Sequence, residues 1–239
     1  MLRAMKTIMA VLALAAAFAA PAAAAERRYT VTDFDRVVVE GPFAVRLATG
    51  RTPSAAATGS PEAIERLSLD VQGRILRIRP NRSAWGGYPG AAAGPVAIEV
   101  GVQELRGARV NGAGSLAIDR VAGLRVDLTV EGSGSIAVPA VAADRLVVGI
   151  IGSGRIRLAG AAAELQANVH GWGELDAASL RTQGAAIVTD TAGRVAVAVA
   201  RQATVTASGV GEVEIVGAPA CTLRGLSAGQ VRCGSGPRR

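Results

Sequence analysis

His170 is the only histidine of the chain. A histidine beside a carboxylate is the usual core of a general base. Asp190 follows twenty residues later, and Ser208 eighteen residues after that, so an acid, a base and a nucleophile are all at hand. Glu174 with Asp176, and Glu212 with Glu214, form carboxylate pairs at i, i+2, a spacing that sets two acids on one face of a strand. Exposed acids of this kind, with a cation and a nearby base, suit cleavage of acidic polysaccharide. Cys221 and Cys233 offer a disulfide. Trp85 and Tyr88, in the glycine-rich stretch "NRSAWGGYPGAAAGP", offer rings that stack on sugars or on a partner. Whether any of this becomes chemistry depends on the elements that position it.

Those elements are written in a repeat. The phrases "NGAGSLAI", "EGSGSIAV" and "IGSGRIRL" follow one another at intervals of twenty residues. The second glycine of the phrase recurs as Gly114, Gly134, Gly154, Gly173, Gly193, Gly211 and Gly229, at intervals of 20, 20, 19, 20, 18 and 18. The first glycine is present as Gly112, Gly132, Gly152, Gly171 and Gly209, with Thr191 and Ser227 in its place elsewhere. After each marker the apolar residues fall two and four positions on, as in Ile136 and Val138, and before it alternation also holds, as in Val126, Leu128 and Val130. Period two means strands with one buried face. Each repeat is then strand, glycine bend, strand and turn, and a fixed period of this length is one coil of a solenoid.

The expected fold is all-β: a parallel β-helix (β-solenoid), right-handed by the crossover rule, with coils of about 18–20 residues. An antiparallel sandwich does not require evenly spaced glycines. The markers are expected at the corners, where a bend needs positive φ or leaves no room for a Cβ. Just after them, Arg155, Glu174, Arg194 and Glu212 alternate in sign and predict an outward ion-pair ladder. Residues 29–100 keep the style with less regularity: "FDRVVVEGPFAVRLATG" and "LSLDVQGRILRIRP" read as two irregular coils. Between them "GSPEAIERL" reads as a short helix with Ser60 as N-cap and Pro61 in its first turn. Regular coils run over 101–233.

In this register most of the candidate chemistry dissolves. His170 and Asp190 point outward on neighbouring coils, and Ser208 lies roughly 10 Å from His170 at the strand spacing, too far for a triad. Arg155, Arg157 and Arg194 sit beside Glu174 and Asp176 and would neutralise them. No catalytic residue, cofactor or metal ligand is expected. Cys221 and Cys233 both fall in inward registers of the last coil, where a bridge would tie off the open end; two buried thiols are the alternative.

The opening "MLRAMKTIMAVLALAAAFAAPAAAAERRY" has a basic start, an apolar run from Ile8 to Ala20 and small residues up to Ala25. It reads as a signal peptide over 1–25, leaving one solenoid domain over 26–239. No later segment is apolar enough to span a membrane, and no translocating barrel is expected after the coils. Lys6 is the only lysine, so the 24 basic residues beyond the signal are all arginine, against 19 acids. A net charge of about +5 over such a length is mild, and no basic block marks a nucleic-acid surface.

The run "FDRVVVEGPFAVRLATG", then "LSLDVQGRILRI", then serial G-S-G coils, resembles the DUF2807 family, the "putative auto-transporter adhesin, head GIN domain", over nearly all of residues 33–233. The resemblance implies a β-helical fold and an envelope location, periplasmic or extracellular, and brings no catalytic residues. The expected function is a non-catalytic, adhesin-like binding or scaffold module, its partner an envelope glycan or protein. A polysaccharide-active enzyme and a self-associating structural protein are the rivals.

Overall fold

The computed structural model describes residues 25–81, 95–225 and 230–235. Its strands join into one 17-stranded sheet wound on itself as a β-solenoid. Two faces carry the winding. The first is built, in spatial order, by β6 (Ile75–Pro80), β2 (Arg36–Glu40), β8 (Gly107–Gly112), β10 (Val121–Gly132) and the C-terminal halves of the long strands that follow, ending at β16 (Ala220–Arg224). The second runs through β7 (Ala97–Val102), β3 (Ala44–Thr49), β9 (Ser115–Ile118) and the N-terminal halves of β11 (Ser135–Gly152), β12 (Arg155–Gly171), β13 (Glu174–Thr191) and β14 (Val195–Ala207), ending at β15 (Val213–Val216) and β17 (Val231–Ser235). Strands as long as β11 leave one face, bend and begin the other.

The repeat fixes the register. Leu116, Ile136, Ile156, Leu175, Val195, Val213 and Val231 form one unbroken ladder of backbone partners. The first six are buried to 1% exposure or less. Val126, Leu146 and Leu165 form the matching inward ladder on the first face, all at 0%. A side chain of this size contributes about 1.5–3 kcal/mol on full burial, so the ladders supply the dominant favourable energy.

The two glycines of the phrase do different work. The first glycines Gly112, Gly132, Gly152 and Gly171 have positive φ, +110° at Gly132 and Gly152, and turn the chain. The described second glycines have ordinary φ; they are glycine for want of space. Glycine carbonyls point along the solenoid axis and accept from the next coil: Ser153 N donates to Gly132 O at 2.9 Å, and Arg155 N to Gly134 O at 3.0 Å. A Cβ on Gly134 would stand 2.6 Å from the Gly114 carbonyl oxygen. Of the two reasons expected for a marker glycine, positive φ or no room for a Cβ, the second holds, and positive φ belongs to the glycines two residues earlier. Thr191 takes the first-glycine place by substituting side-chain for backbone bonding: its hydroxyl donates to Gly173 O at 3.1 Å and accepts from Gly193 N at 3.0 Å.

The N-terminal part departs from the expected order. The first coil, β2–β3, does not end the stack. It lies between β6–β7 on one side and β8–β9 on the other. The stretch read as a second coil, 67–80, is an antiparallel hairpin of β5 (Leu67–Gln72) and β6. Its two-residue turn, Gly73 (φ 54°) and Arg74 (φ 67°), has both residues left-handed, the geometry that joins adjacent antiparallel strands. Helix α1 (Pro61–Glu65) forms where expected, with Ser60 Oγ accepting from Ala63 N at 3.2 Å. It buries Ala63 and Ile64 over that end of the core. Beyond β7 the sheet continues antiparallel through β4 (Ser54–Gly59) to β1 (Ala25–Tyr29).

Among the described residues the opposite end has no such cover. Leu223 is 38% exposed there. Cys221 and Cys233, on the two faces of the last coil, are joined in a disulfide with Cα atoms 6.6 Å apart. A loop this short is worth about 3 kcal/mol by the loop-entropy argument.

Two outcomes follow. Gly154→Val drives a branched side chain against Val130 and the Gly134 carbonyl. It should cost at least about 1–3 kcal/mol, read as a Tm lowered by about 2–4 °C per kcal/mol. An unchanged melt would mean that the coils do not touch at this glycine. Reducing the disulfide should raise amide exchange in β16 and β17 while β10 and β11 stay protected; uniform loosening would show that the bridge is no local clamp.

Candidate functional site

The outward residues of the second face form columns along the solenoid, one residue per strand. The column immediately after the marker glycines was expected to carry an alternating ladder. Arg155 and Glu174 do pair, at 2.7 Å. Arg194 does not bond Glu212 in its own column. It reaches diagonally to Glu214, at 2.6 Å, and Glu212 is taken by Arg232 at 2.7 Å. The reason is reach: guanidinium stems span the diagonal as easily as the direct neighbour, and Glu214, whose side chain is 5% exposed, needs a charged partner more than Glu212 at 41%. The bond to Glu214 raises Arg194 above the ordinary guanidinium range.

Two residues further along the strands lies the column that matters most. In spatial order it reads Glu99, Arg46, Ala117, Ala137, Arg157, Asp176. The sequence is symmetric: two alanines, bracketed by arginines, bracketed by acids. These six residues span about 24 Å at the strand spacing, and the two alanines, one spacing of about 4.8 Å apart, make a shallow floor at the middle. Above it is a groove of about 1260 Å³. Its lining includes β1 and the segment after it, from Glu26 to Val31, together with β12 and the start of β13. These strands are far apart in the sheet order. They share one groove because the antiparallel extension β7–β4–β1 curls over the outer face of the coils.

Arg46, Arg51 and Arg157 converge on this groove. Among the described residues none of the three has a carboxylate within 4 Å, although Glu99 and Asp176 are register neighbours of Arg46 and Arg157. Of the other charges of the lining, Arg28 bonds Glu26 at 2.8 Å, and Asp119 accepts from Thr49 N at 3.0 Å and Arg120 N at 2.6 Å, while Glu99 and Asp176 have no ion pair within 4 Å among the described residues. The rest is mainly apolar, with Ala159, Pro53 and Pro139 around the alanines. Tyr29, in the inward register of β1, packs its ring against the core, with the Arg27 guanidinium 5.1 Å from the centroid. Its hydroxyl is shut off from solvent and has no hydrogen-bond partner among the described residues. Burial raises its pKa, against the opposing pull of Arg27.

The residues singled out for chemistry are dispersed. His170 and Asp190 are in-register neighbours on the exposed first face. Ser208 follows in the same column, and its hydroxyl bonds the Thr189 carbonyl at 3.3 Å. Glu174, Glu212 and Glu214 are committed to arginines. Among the described residues no group of three His, Cys, Asp or Glu could hold a metal, and no helix is long and apolar enough to cross a membrane. Trp85, Tyr88, Gly229 and all but the last residue of the signal-peptide segment lie outside the described residues. The groove itself was not anticipated. Its sequence signal is the pair of alanines at Ala117 and Ala137 in an outward column, which means nothing until β1 is known to lie above them.

The family model described as "Putative auto-transporter adhesin, head GIN domain" matches residues 33–219. No curated protein matches. Among solved structures, a "putative adhesin" from Bacteroides fragilis is similar over 86% of this chain and 95% of its own, with a TM-score of 0.77 at 16% identity. A "putative lipid binding protein" from Parabacteroides distasonis covers 90% and 96%, with a TM-score of 0.64 at 20% identity. A "putative adhesin" from Parabacteroides merdae covers 85% and 93%, with a TM-score of 0.61 at 18% identity. At these identities the likeness is one of fold.

The reading of His170 as a non-catalytic residue of this column has a direct test. His170→Ala should complement a deletion of the gene as fully as the unaltered protein does. A folded H170A protein that behaves like the deletion would restore the catalytic reading.

Proposed function

This chain belongs to the DUF2807 family, and on that premise we propose that it is an exported, non-catalytic binding module of the cell envelope whose ligand lies in the groove beneath β1. The observation that carries the reading is the groove: an extended trough with an alanine floor and three guanidiniums that have no ion pair among the described residues. A surface that served only as scaffold has no need of such a trough. Export is supported by the signal-peptide pattern of the first 25 residues and by the disulfide, which suits an oxidising compartment. The adhesin descriptions of the family and of two structural neighbours, and the lipid-binding description of a third, belong to those proteins. They agree with a binding role and name no ligand for this one.

The enzymatic rival is weaker on physical grounds. A glycosidase needs one carboxyl kept protonated beside another that is ionised. Glu174, Glu212 and Glu214 are each held by a guanidinium and are engaged in ion pairs rather than free to act on a substrate. The self-associating rival needs ends that accept a further coil. One end is closed by the β5–β6 hairpin and α1.

The test is to fill the trough. Ala137→Trp places a large ring on the floor at an exposed position and should leave the melt within a few degrees. Immobilised mature protein, presented with envelope extract and with a glycan array, should retain a component that A137W protein loses by at least tenfold. Equal retention by both would remove the groove from the function.

A further inference from the structure

We propose that the groove takes a single-chain anionic amphiphile, its acyl chain lying along the alanine floor and its charged head held by the guanidiniums of Arg46, Arg51 or Arg157. This rests on the binding-module reading and names the ligand class.

Three classes of ligand compete for a trough of this length, and the lining separates them. A glycan is recognised by aromatic platforms and by many neutral donors and acceptors. Among the described lining residues Tyr29 is the only aromatic, there is no Asn or Gln, and the uncharged hydroxyl side chains besides Tyr29 are Thr30, Ser54 and Ser179. A polypeptide binds to a sheet chiefly by adding a strand to an open edge. The floor strands β9, β11 and β12 are hydrogen-bonded on both sides, so the floor offers no backbone edge, and β1, paired with β4 alone, is the one lining strand with an open edge among the described residues. An acyl chain asks for neither rings nor backbone partners. It asks for apolar contact and shallow relief, which the floor of Ala117 and Ala137 with Ala159, Pro53 and Pro139 around it provides.

The head group is specified by charge. Arg46 and Arg157 bracket the floor, Arg51 stands by the same groove, and none of the three has an ion-pair partner among the described residues. A guanidinium presents a planar fork that fits carboxylate or phosphate. Glu99 and Asp176, at the two ends of the column, repel a second negative charge and so favour one head group over a polyanion.

The experiment uses the mature protein with palmitate, its neutral methyl ester and inorganic phosphate, each below any micellar concentration, with displacement of a fluorescent fatty acid as readout. Palmitate should compete saturably, at least tenfold better than the ester, and millimolar phosphate should not compete. The double variant Arg46→Gln, Arg157→Gln, at exposed positions and folded by its melt, should lose tenfold for palmitate and little for the ester. Equal affinity for palmitate and ester, or an R46Q/R157Q protein unchanged toward palmitate, overturns the assignment of the head-group site. Competition by phosphate alone overturns the acyl chain. If palmitate does not bind while A137W protein still loses an envelope component, the amphiphile falls and the binding module stands. If palmitate does not bind and A137W protein retains everything, both fall.

Discussion

Everything in this molecule depends on how closely one coil lies on the next at the glycine turn. The backbone carbonyl of each turn glycine points along the axis into the neighbouring coil, where an amide of the next turn meets it. That hydrogen bond occupies the place where a side chain would begin. The turn therefore admits no Cβ, and the absence of a Cβ lets the ladders on both faces continue without a gap. Where the first glycine gives way to Thr191, the hydroxyl takes over part of the bonding and the stack survives. The constraint is one of contact between coils, more than of the torsion within any one of them.

A constraint of this kind leaves a strong trace in sequence. The marker spacing placed Ile136 on Ile156 and Leu175 on Val195, because a ladder of inward residues tolerates no slip without turning a whole strand outward. The pairing of Arg155 with Glu174 and of Cys221 with Cys233 came from the same register. What did not come through was anything decided between units. The "VVVEGPFAV" coil fits equally well at the end of the stack or inside it, since either neighbour offers the same apolar ladder. The hairpin at 67–80 shares the alternation of a coil, and only its two-residue turn distinguishes it. Arg194 chose Glu214 over Glu212 through side-chain reach, which period alone does not encode.

The groove belongs to this second category. No motif marks it, because its floor is made of the least informative residues in the chain and its roof comes from a strand at the far end of the sheet order. The regular coils supply a rigid, flat bed on which Ala117, Ala137 and Arg157 are spaced by hydrogen bonding. The irregular N-terminal strands supply curvature. Function in such a protein is expected where regularity breaks, since a perfect solenoid presents the same surface at every coil.

The place of β2–β3 in the stack has a further consequence, for assembly in time. A chain that leaves the cell interior N-terminus first could lay down sequential coils as they emerge, each templated by the one before. This chain cannot begin that way. Its first coil needs β6 and β7 on one flank and β8 and β9 on the other, so residues 36–118 must all have arrived before that coil is paired on both edges. Until then two open strand edges wait unsatisfied, in need of protection from other chains. The later coils are spared this delay, adding one at a time onto a finished seed. Translocation thus divides into a vulnerable phase of collective closure and a processive phase of winding.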